Sequence, residues 1–401
     1  MLSRRDLLIR LAGLGLGSGL LSLGAPAPGL WRQAASAAEP RSDATVLVVV
    51  ELTGGNDGLN TVVPHADDIY HKNRPTLRIE PAKVLKLDDR VGLHPSLKEL
   101  HALWESGDLA VIQGVGYPNP NRSHFRSMEI WQTGVLDDAP PAGWLGRAAD
   151  TNLAIALCHV GQQSVPLAVR GRKSIPQALA SLADYRLAPG AGFAEVSEAD
   201  RVGDPVLREI QRQFATARDL SARLAAIPTD QAGAESASSP ETLAGRLETI
   251  RRLIEADLPV RVYYTSQDGF DTHAAQRYTH QELLRKVSQG VAGFLKSLKA
   301  SRLDERVVVL LFSEFGRRLK ENASNGTDHG AAAPVLLAGK PVKGGLIGPP
   351  PNLANLDDGG DPRFTTDFRD VYAALLQRWL AVDPEPILGR RDAWLALVEP
   401  R

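Results

Sequence analysis

Short, almost wholly apolar segments alternate with amphipathic segments along most of this chain. Val46–Leu52 (VLVVVEL) and Val307–Phe312 (VVVLLF) are the strongest apolar segments, and 109–115 (LAVIQGV) is a third. A short segment that is apolar at nearly every position is typical of a strand buried on both faces of a parallel sheet. Weaker strand signals lie at 153–157, 260–265 and 335–337.

Segments with helical periodicity separate these predicted strands. Apolar residues recur at three- and four-residue spacing across 97–104, 128–131, 283–298 and 368–379, as in helices that bury one face. Gly107 and Gly134 are placed to end the first two helices. The alternation predicts an α/β fold, a doubly wound and mostly parallel sheet with helices on both faces.

The N-terminus predicts export. Arg4 and Arg5 form a twin-arginine pair before a weakly hydrophobic run of 15 residues, 11–25, which is short of the roughly 20 residues that span a membrane. Ala35-Ser36-Ala37 matches the small-x-small pattern that signal peptidases cleave. We therefore expect a twin-arginine signal peptide over 1–37, a periplasmic or secreted protein, and no stable membrane span after cleavage. The alternative is a chance arginine pair before an uncleaved apolar helix.

The charge and the cysteine content of the mature chain exclude several functions and kinds of site. Removing residues 1–37 takes away four arginines and one aspartate and leaves a net charge of −4. This charge argues against nucleic-acid binding, which needs a strongly basic face. The single cysteine, Cys158, excludes an intramolecular disulfide and a CxxC metal site. We expect one α/β domain over 38–401, with a helical insertion at about 175–258 that contains a flexible surface loop at 229–240.

Polar clusters follow the predicted strands at the point where each strand ends. They lie at 56–57, 121–124, 268–273 and 313–317, and a further Asp-His pair precedes the strand at 335–337. In open α/β sheets, ligands bind beyond the carboxyl ends of the strands. Carboxylates and imidazoles bind divalent ions, and a neighbouring hydroxyl can act as a nucleophile. The clusters therefore predict one shared site.

Each cluster also has an ordinary structural explanation. Asn, Asp and Gly shape turns, and serine is a preferred N-cap of helices. Turns, caps and loop pairs would account separately for Asp57, Ser123, Asp271, His273, Asp328 and His329. Because four clusters at four strand ends are hard to explain as independent turns, we favour the shared site.

The chain resembles the secreted bacterial domain-of-unknown-function family 1501. The resemblance runs from about residue 44 to about 382. Six motifs carry it: LTGGNDGLNTVVP (52–64), RSHFRSMEIWQTG (122–134), DGFDTHAAQ (268–276), SEFGR (313–317), GTDHG (326–330) and TDFRDVY (366–372). The family is in turn similar to the alkaline phosphatase superfamily, which includes phosphatases, phosphodiesterases, sulfatases and cofactor-independent phosphoglycerate mutases. The resemblance implies an alkaline-phosphatase-like fold.

That resemblance also implies a metal-dependent hydrolase acting on an anionic ester, a phosphate or a sulfate. Ser123 stands where the superfamily has its nucleophile at the start of a helix, and Arg122 or Arg317 would bind the anion. The implied ligands of one divalent metal ion are Asp57, Asp271, His273, Asp328, His329 and Glu314. Asp57 lies some five residues later than the usual acidic ligand, and Glu51 lies nearer that position.

Two alignments of the last ligands compete. By residue identity, Asp328-His329-Gly330 matches the superfamily's Asp-His-Gly ligand pair. By position after the strand, Glu314-Phe315 matches that pair, and His329 becomes the final histidine. We prefer the second alignment, because the long helix and the order of the strands agree in it. Because phenylalanine cannot bind metal, this alignment leaves one metal, an altered site or no metal. The alternatives are a non-catalytic exported binding or assembly protein with a degenerate site, and a metal enzyme with different chemistry.

Overall fold

A computed structural model describes residues 44–137, 142–152, 154–180, 223, 239–390 and 395–399. The predicted signal peptide at 1–37 and most of the predicted insertion, including 229–238 of its loop, lie outside these residues. Within them, no helix combines the length and the apolar character that crossing a membrane requires.

The strands and helices alternate as the sequence predicts. The strands are β1 Val46–Leu52, β2 Val62–Val63, β3 Leu85–Lys86, β4 Gly92–Leu93, β5 Leu109–Gly116, β6 Ala156–Val160, β7 Gln177–Leu179, β8 Val260–Gln267, β9 Val307–Phe312, β10 Arg317–Glu321, β11 Thr327–His329, β12 Ala333–Ala338, β13 Gly345–Ile347 and β14 Thr366–Asp367. The helices are α1 Gly58–Thr61, α2 Asp68–Asn73, α3 Lys98–Glu105, α4 His124–Thr133, α5 Trp144–Thr151, α6 Leu243–Glu255, α7 Gln276–Ala300, α8 Phe368–Ala374 and α9 Glu385–Leu388.

One large sheet forms the centre of the molecule. Its strand order is β13-β5-β12-β9-β1-β8-β6-β7, and β14 pairs with β5. Of the described strands in this sheet, only β12 runs antiparallel to its neighbours. The prediction of a mostly parallel sheet is confirmed. Two small sheets, β10-β11 and β2-β4-β3, lie outside it.

Helices cover both faces of the sheet, which makes the fold doubly wound. Along β1, Val46, Val48 and Val50 point into one core and Leu47 and Val49 into the other, because successive side chains of a strand alternate between faces. The first core is closed by α3, α6 and α7, and the second by α4, α5 and α8. Burial on both sides explains why these strands are apolar at almost every position.

Several boundaries differ from those predicted. The strand expected at 153–157 begins at Ala156, because Asn152 ends α5 and Ile155 still donates its N–H to the Asn152 carbonyl. The last long helix is α-helical only to Ala374 and continues as a π-helix over Leu375–Trp379. Within the predicted insertion, α6 packs on the sheet as part of the first core.

Candidate metal centre

The sheet brings the strand-end clusters to one edge. Because β5, β9, β1 and β8 run in the same direction, their carboxyl ends lie together, and the antiparallel β12 begins at that edge. His124, Asp271 and His329 offer ligand atoms that all lie within 4.8 Å of one another. His273 joins them, with its Nε2 atom 3.1 Å from Asp271 Oδ1. We call these four residues the histidine group.

Hydrogen bonds set the orientation of His124 and His329. His124 Nδ1 lies 2.8 Å from Glu314 Oε1, and His329 Nδ1 lies 2.8 Å from the Arg122 carbonyl oxygen. Because a carboxylate and a carbonyl can only accept, each ring can donate from Nδ1. The Nε2 atoms of both rings face Asp271, and His329 Nε2 lies 3.2 Å from Asp271 Oδ1. A neutral ring protonated on Nδ1 therefore turns its Nε2 lone pair toward a carboxylate, an arrangement that a cation between them would stabilise. His124 Nε2 is buried without a hydrogen-bond partner among the described residues, 3.5 Å from Asp271 Oδ2.

His273 repeats this arrangement. Its Nδ1 atom lies 3.2 Å from Asp328 Oδ1 and its Nε2 atom faces Asp271, so a ring protonated on Nδ1 likewise directs its Nε2 lone pair at that carboxylate. Its Nε2 atom also lies 2.9 Å from His329 Nε2. With both protons on Nδ1, two lone pairs would face each other at that distance, and a cation between them would relieve the repulsion. A histidine held through one nitrogen by a carboxylate or carbonyl is the usual arrangement of a metal ligand.

Asp271 supplies the negative charge of the histidine group. Burial tends to raise its pKa, but the Arg317 guanidinium, 2.7 Å away, and His329 outweigh burial and lower the pKa of Asp271 to about 2. Hydrogen bonding to Glu314 raises the pKa of His124, against the opposing effect of burial, and burial lowers the pKa of His329. The group therefore holds one firmly ionised carboxylate surrounded by imidazoles.

Two of the predicted ligands lie behind the histidines. Glu314 Oε1 accepts from His124 and from the Gly54 N–H at 2.9 Å, and Oε2 accepts from Ser313 Oγ at 2.9 Å. Asp328 accepts from His273 and from Asn322 Nδ2 at 3.1 Å. Both carboxylates therefore orient a histidine ring.

Neither predicted anion-binding arginine is free. Arg317 is buried, and besides Asp271 its guanidinium donates to the carbonyls of Gly54, Gly55, Phe270 and Thr327. Arg122 donates from Nε to the buried Asp361 at 2.7 Å and from Nη2 to Asp357 at 3.0 Å. Arg317 thus ties the loops after β1 and β8 together, and Arg122 anchors the carbonyl that orients His329.

Asp57, another predicted ligand, lies apart from the histidine group. It is fully buried and its Oδ2 atom lies 2.6 Å from Arg74 Nη1 and also accepts from Gln276. Burial tends to raise the pKa of Asp57, but the Arg74 guanidinium outweighs it and holds the pKa below its usual range. Nearby, His280 Nε2 lies 2.8 Å from Asn56 Oδ1. We call Asn56, Asp57, Arg74, Gln276 and His280 the Asp57 network.

Ser123 is the N-cap residue of α4, next to His124. Its side chain is exposed and, within the described chain, makes no capping hydrogen bond. Serine at this position usually caps the helix through its hydroxyl. The Ser123 hydroxyl does not do so, and helix capping therefore does not explain what this hydroxyl does. Ser123, His124 and Glu314 line one open depression of about 610 Å³.

Comparison with known proteins identifies the family. The family model described as protein of unknown function (DUF1501) matches residues 44–356. The chain belongs to this family.

Solved structures resemble this DUF1501 protein in fold only distantly. The zinc complex of the C-terminal periplasmic domain of EptC from Escherichia coli is 12% identical, with 75% of this chain and 74% of that chain covered and a TM-score of 0.39. A phosphonate monoester hydrolase from Silicibacter pomeroyi is 9% identical, with coverages of 88% and 78% and a TM-score of 0.38. A Vibrio parahaemolyticus protein in the alkaline phosphatase superfamily is 10% identical, with coverages of 79% and 69% and a TM-score of 0.34. No curated protein matches the sequence.

Phe315 is the residue that the alignment by position sets opposite a histidine ligand. The Phe315 ring is buried, with its centroid 4.8 Å from that of His329 and 5.0 Å from that of His124. It forms an apolar wall of the group, and a Cβ atom on Gly55, which has φ +75°, would lie 2.3 Å from it. His124, which the sequence did not single out as a ligand candidate, joins the histidine group, and its place at the start of the helix after β5 was a usable signal.

Proposed function

We propose that this protein is an exported, metal-dependent hydrolase of phosphate or sulfate esters. The observation that carries the proposal is the histidine group, in which three imidazoles anchored through Nδ1 direct their Nε2 atoms toward Asp271. Three nitrogen donors and one carboxylate suit a borderline divalent ion such as zinc. His124, Asp271, His273 and His329 would hold this ion.

Ser123 is the proposed nucleophile. A bound divalent ion would lower the pKa of a hydroxyl or water and polarise the ester oxygen. The oxygen of Ser123 would form a bond to phosphorus or sulfur while the bond to the alcohol oxygen breaks, and the serine proton would leave with the alcohol. Water would then hydrolyse the serine ester, release the acid and restore the serine hydroxyl. Since Arg122 and Arg317 are engaged, the first N–H groups of α4 could bind the anion.

The order of the site along the chain supports the same proposal. A central strand, a serine that opens a helix, an Asp/His segment, a long helix and a final histidine occur as β1, α4, the loop after β8, α7 and His329. This order resembles that of the alkaline phosphatase superfamily, whose members cleave phosphate and sulfate esters.

Metal content and turnover test the proposal together. The mature protein purified from its native compartment should contain a divalent metal by mass spectrometry, and His329→Ala should lose it. Ser123→Ala should keep the metal and lose hydrolysis of phenyl phosphate or phenyl sulfate. His101→Ala is the matched control, because His101 lies on α3 with Nε2 3.0 Å from the Lys86 carbonyl. Unchanged metal content in His329→Ala would refute the site.

One observation favours a second function, that of a non-catalytic exported binding or assembly protein. Both arginines predicted for anion binding are engaged with carboxylates. In addition, the Phe315 ring, which cannot bind metal, packs beside His329. A metal-loaded protein that hydrolyses neither phosphate nor sulfate esters would support this function over the hydrolase.

Export through the twin-arginine route is a separate part of the proposal. Replacing Arg4 and Arg5 by lysine should leave uncleaved precursor in the cytoplasm. Cleaved protein outside the cytoplasmic membrane at the normal level would show that another route is used.

A further inference from the structure

The depression beside Ser123 has an apolar wall. Besides Ser123 and His124, it is lined by three large apolar side chains, Phe125, Met128 and Leu167. Phe125 and Met128 are three positions apart on α4 and therefore project from neighbouring points of one helix face. Because His124 belongs both to the histidine group and to the lining of the depression, the depression adjoins the proposed reaction centre.

The other polar lining residues are already engaged. Gln132 Nε2 donates to Glu51 at 2.9 Å, and Thr53 Oγ1 donates to Glu51 at 3.1 Å. Arg126 pairs with Glu129 at 2.5 Å and also donates to two backbone carbonyls. All lining residues lie in the described ranges, and none of them is a cation free to bind a second charged group.

Phe125 is the most exposed of these side chains, at 92% of its surface. A single exposed apolar residue needs no explanation. Here, however, the exposed ring stands two residues after the proposed nucleophile and shares a concave surface with Met128 and Leu167. Binding sites for small molecules combine such apolar walls with a few polar groups that fix orientation.

We propose that the depression binds the alcohol portion of the ester, and that this portion is apolar, an aryl or alkyl group packed on Phe125. The proposal rests on the proposed ester hydrolysis and narrows its substrate class. A sugar or nucleotide portion would meet an apolar wall and the carboxylates of Glu129 and Glu314. Phe125 is thus the specificity-determining residue.

Binding of non-hydrolysable probes tests the apolar wall without turnover. Calorimetry on the mature, metal-loaded protein should show that phenylphosphonate binds more tightly than methylphosphonate by about threefold to tenfold, the range for one aromatic contact. Phe125→Ala should remove this difference and Phe125→Leu should restore part of it. Tyr278→Ala is the control, because Tyr278 is 75% exposed and does not line the depression.

Turnover measurements separate this proposal from the proposed function. With phenyl phosphate and glucose 6-phosphate as substrates, Phe125→Ala should raise KM for the phenyl ester about threefold to tenfold and leave kcat near its original value. If the protein binds the phenyl probe selectively through Phe125 but cleaves no ester, the proposed hydrolase function is contradicted and the proposed binding of an apolar group on Phe125 is supported. If it cleaves esters without preference for the phenyl compound, or binds neither probe, the apolar wall is wrong.

Discussion

The histidine group and the Asp57 network each contain an aspartate and at least one histidine, and their aspartates follow the neighbouring strands β8 and β1 of the same sheet. In the Asp57 network, Arg74 provides a positive charge inside the protein and pairs with the carboxylate at 2.6 Å. In the histidine group, Asp271 also pairs with an arginine, Arg317, but the Nε2 atoms of three imidazoles surround the carboxylate. Whether a carboxylate at a strand end stabilises the fold or is available to a metal ion therefore depends on the side chains that surround it.

The difference has an energetic basis. A buried ion pair is costly to break because the remaining charge has no water to solvate it. Lone pairs that face one another in a partly exposed site instead favour any cation that enters. The Asp57 network should thus govern stability, and the histidine group should govern metal binding.

The largest test of this contrast is Arg74→Ala. Removing the guanidinium leaves the buried carboxylate of Asp57 unpaired and should lower the free energy of unfolding by about 3–5 kcal/mol. Urea unfolding measures this loss, and the folded fraction should keep its metal. His329→Ala, measured without metal, should lose less, about 1–3 kcal/mol for the partly exposed hydrogen bonds to the Arg122 carbonyl and Asp271. If His329→Ala lowers the free energy of unfolding more than Arg74→Ala does, the stabilising role belongs to the histidine group and not to the Asp57 network.

The second test is the pH dependence of stability at His280. Burial lowers the pKa of His280 to about 4 in the folded protein, against about 6.5 in an unfolded chain. Asp57, Arg74 and His94 face it. Between these two values the unfolded chain binds a proton that the folded protein does not, so stability is complete above pH 6.5 and falls by about 3 kcal/mol toward pH 4.

Urea unfolding from pH 7.5 to pH 4 should show this loss. His280→Gln, which keeps a side-chain donor for Asn56 but does not titrate, should reduce the slope over that window by the contribution of one proton. His94 and His159, whose burial lowers their pKa to about 3 and about 4, keep the remaining slope. An identical slope in the variant would show that His280 does not contribute to the acid sensitivity of the Asp57 network.

The third test concerns a residue that orients a ligand. Asp328 is half-exposed and holds His273 Nδ1 at 3.2 Å. Asp328→Ala frees the ring to rotate and change tautomer, so metal affinity should fall about 10-fold to 100-fold with little change in stability. Competition with a chelator measures the affinity. Asp89→Ala, an exposed aspartate between β3 and β4, is the control, and equal affinities in the two variants would contradict the role given to Asp328.

The smallest expected effect is that of Ser123→Ala on stability. Because the Ser123 hydroxyl makes no capping bond to α4, the free energy of unfolding should change by less than about 0.5 kcal/mol. Thr242 does cap α6, accepting from the Gly245 N–H at 3.1 Å, and Thr242→Ala should cost about 1 kcal/mol. A loss at Ser123 as large as that at Thr242 would favour a purely structural serine.

Much of the fold could be predicted from the sequence because its signals are local. Continuous apolar segments identify strands buried on both faces, as for β1 and β9, whose predicted bounds agree with the structure. Gly134 adopts a left-handed conformation at φ +72° and ends α4 as expected. A parallel sheet also forces strand ends together, so the convergence of His273, Asp271 and His329 followed from topology alone.

The roles within the site could not be predicted from the sequence. Asp57 pairs with Arg74 and Gln276, Glu314 lies behind His124, and Arg122 is held by Asp361.

The partners in these contacts are separated by 17 to 239 positions in the chain. Spacing and composition show that carboxylates, imidazoles and arginines stand at strand ends. Only tertiary packing decides which carboxylate receives an internal cation and which imidazoles keep a lone pair for an ion, because hydrogen bonds and ion pairs depend on distances in space that local sequence does not encode.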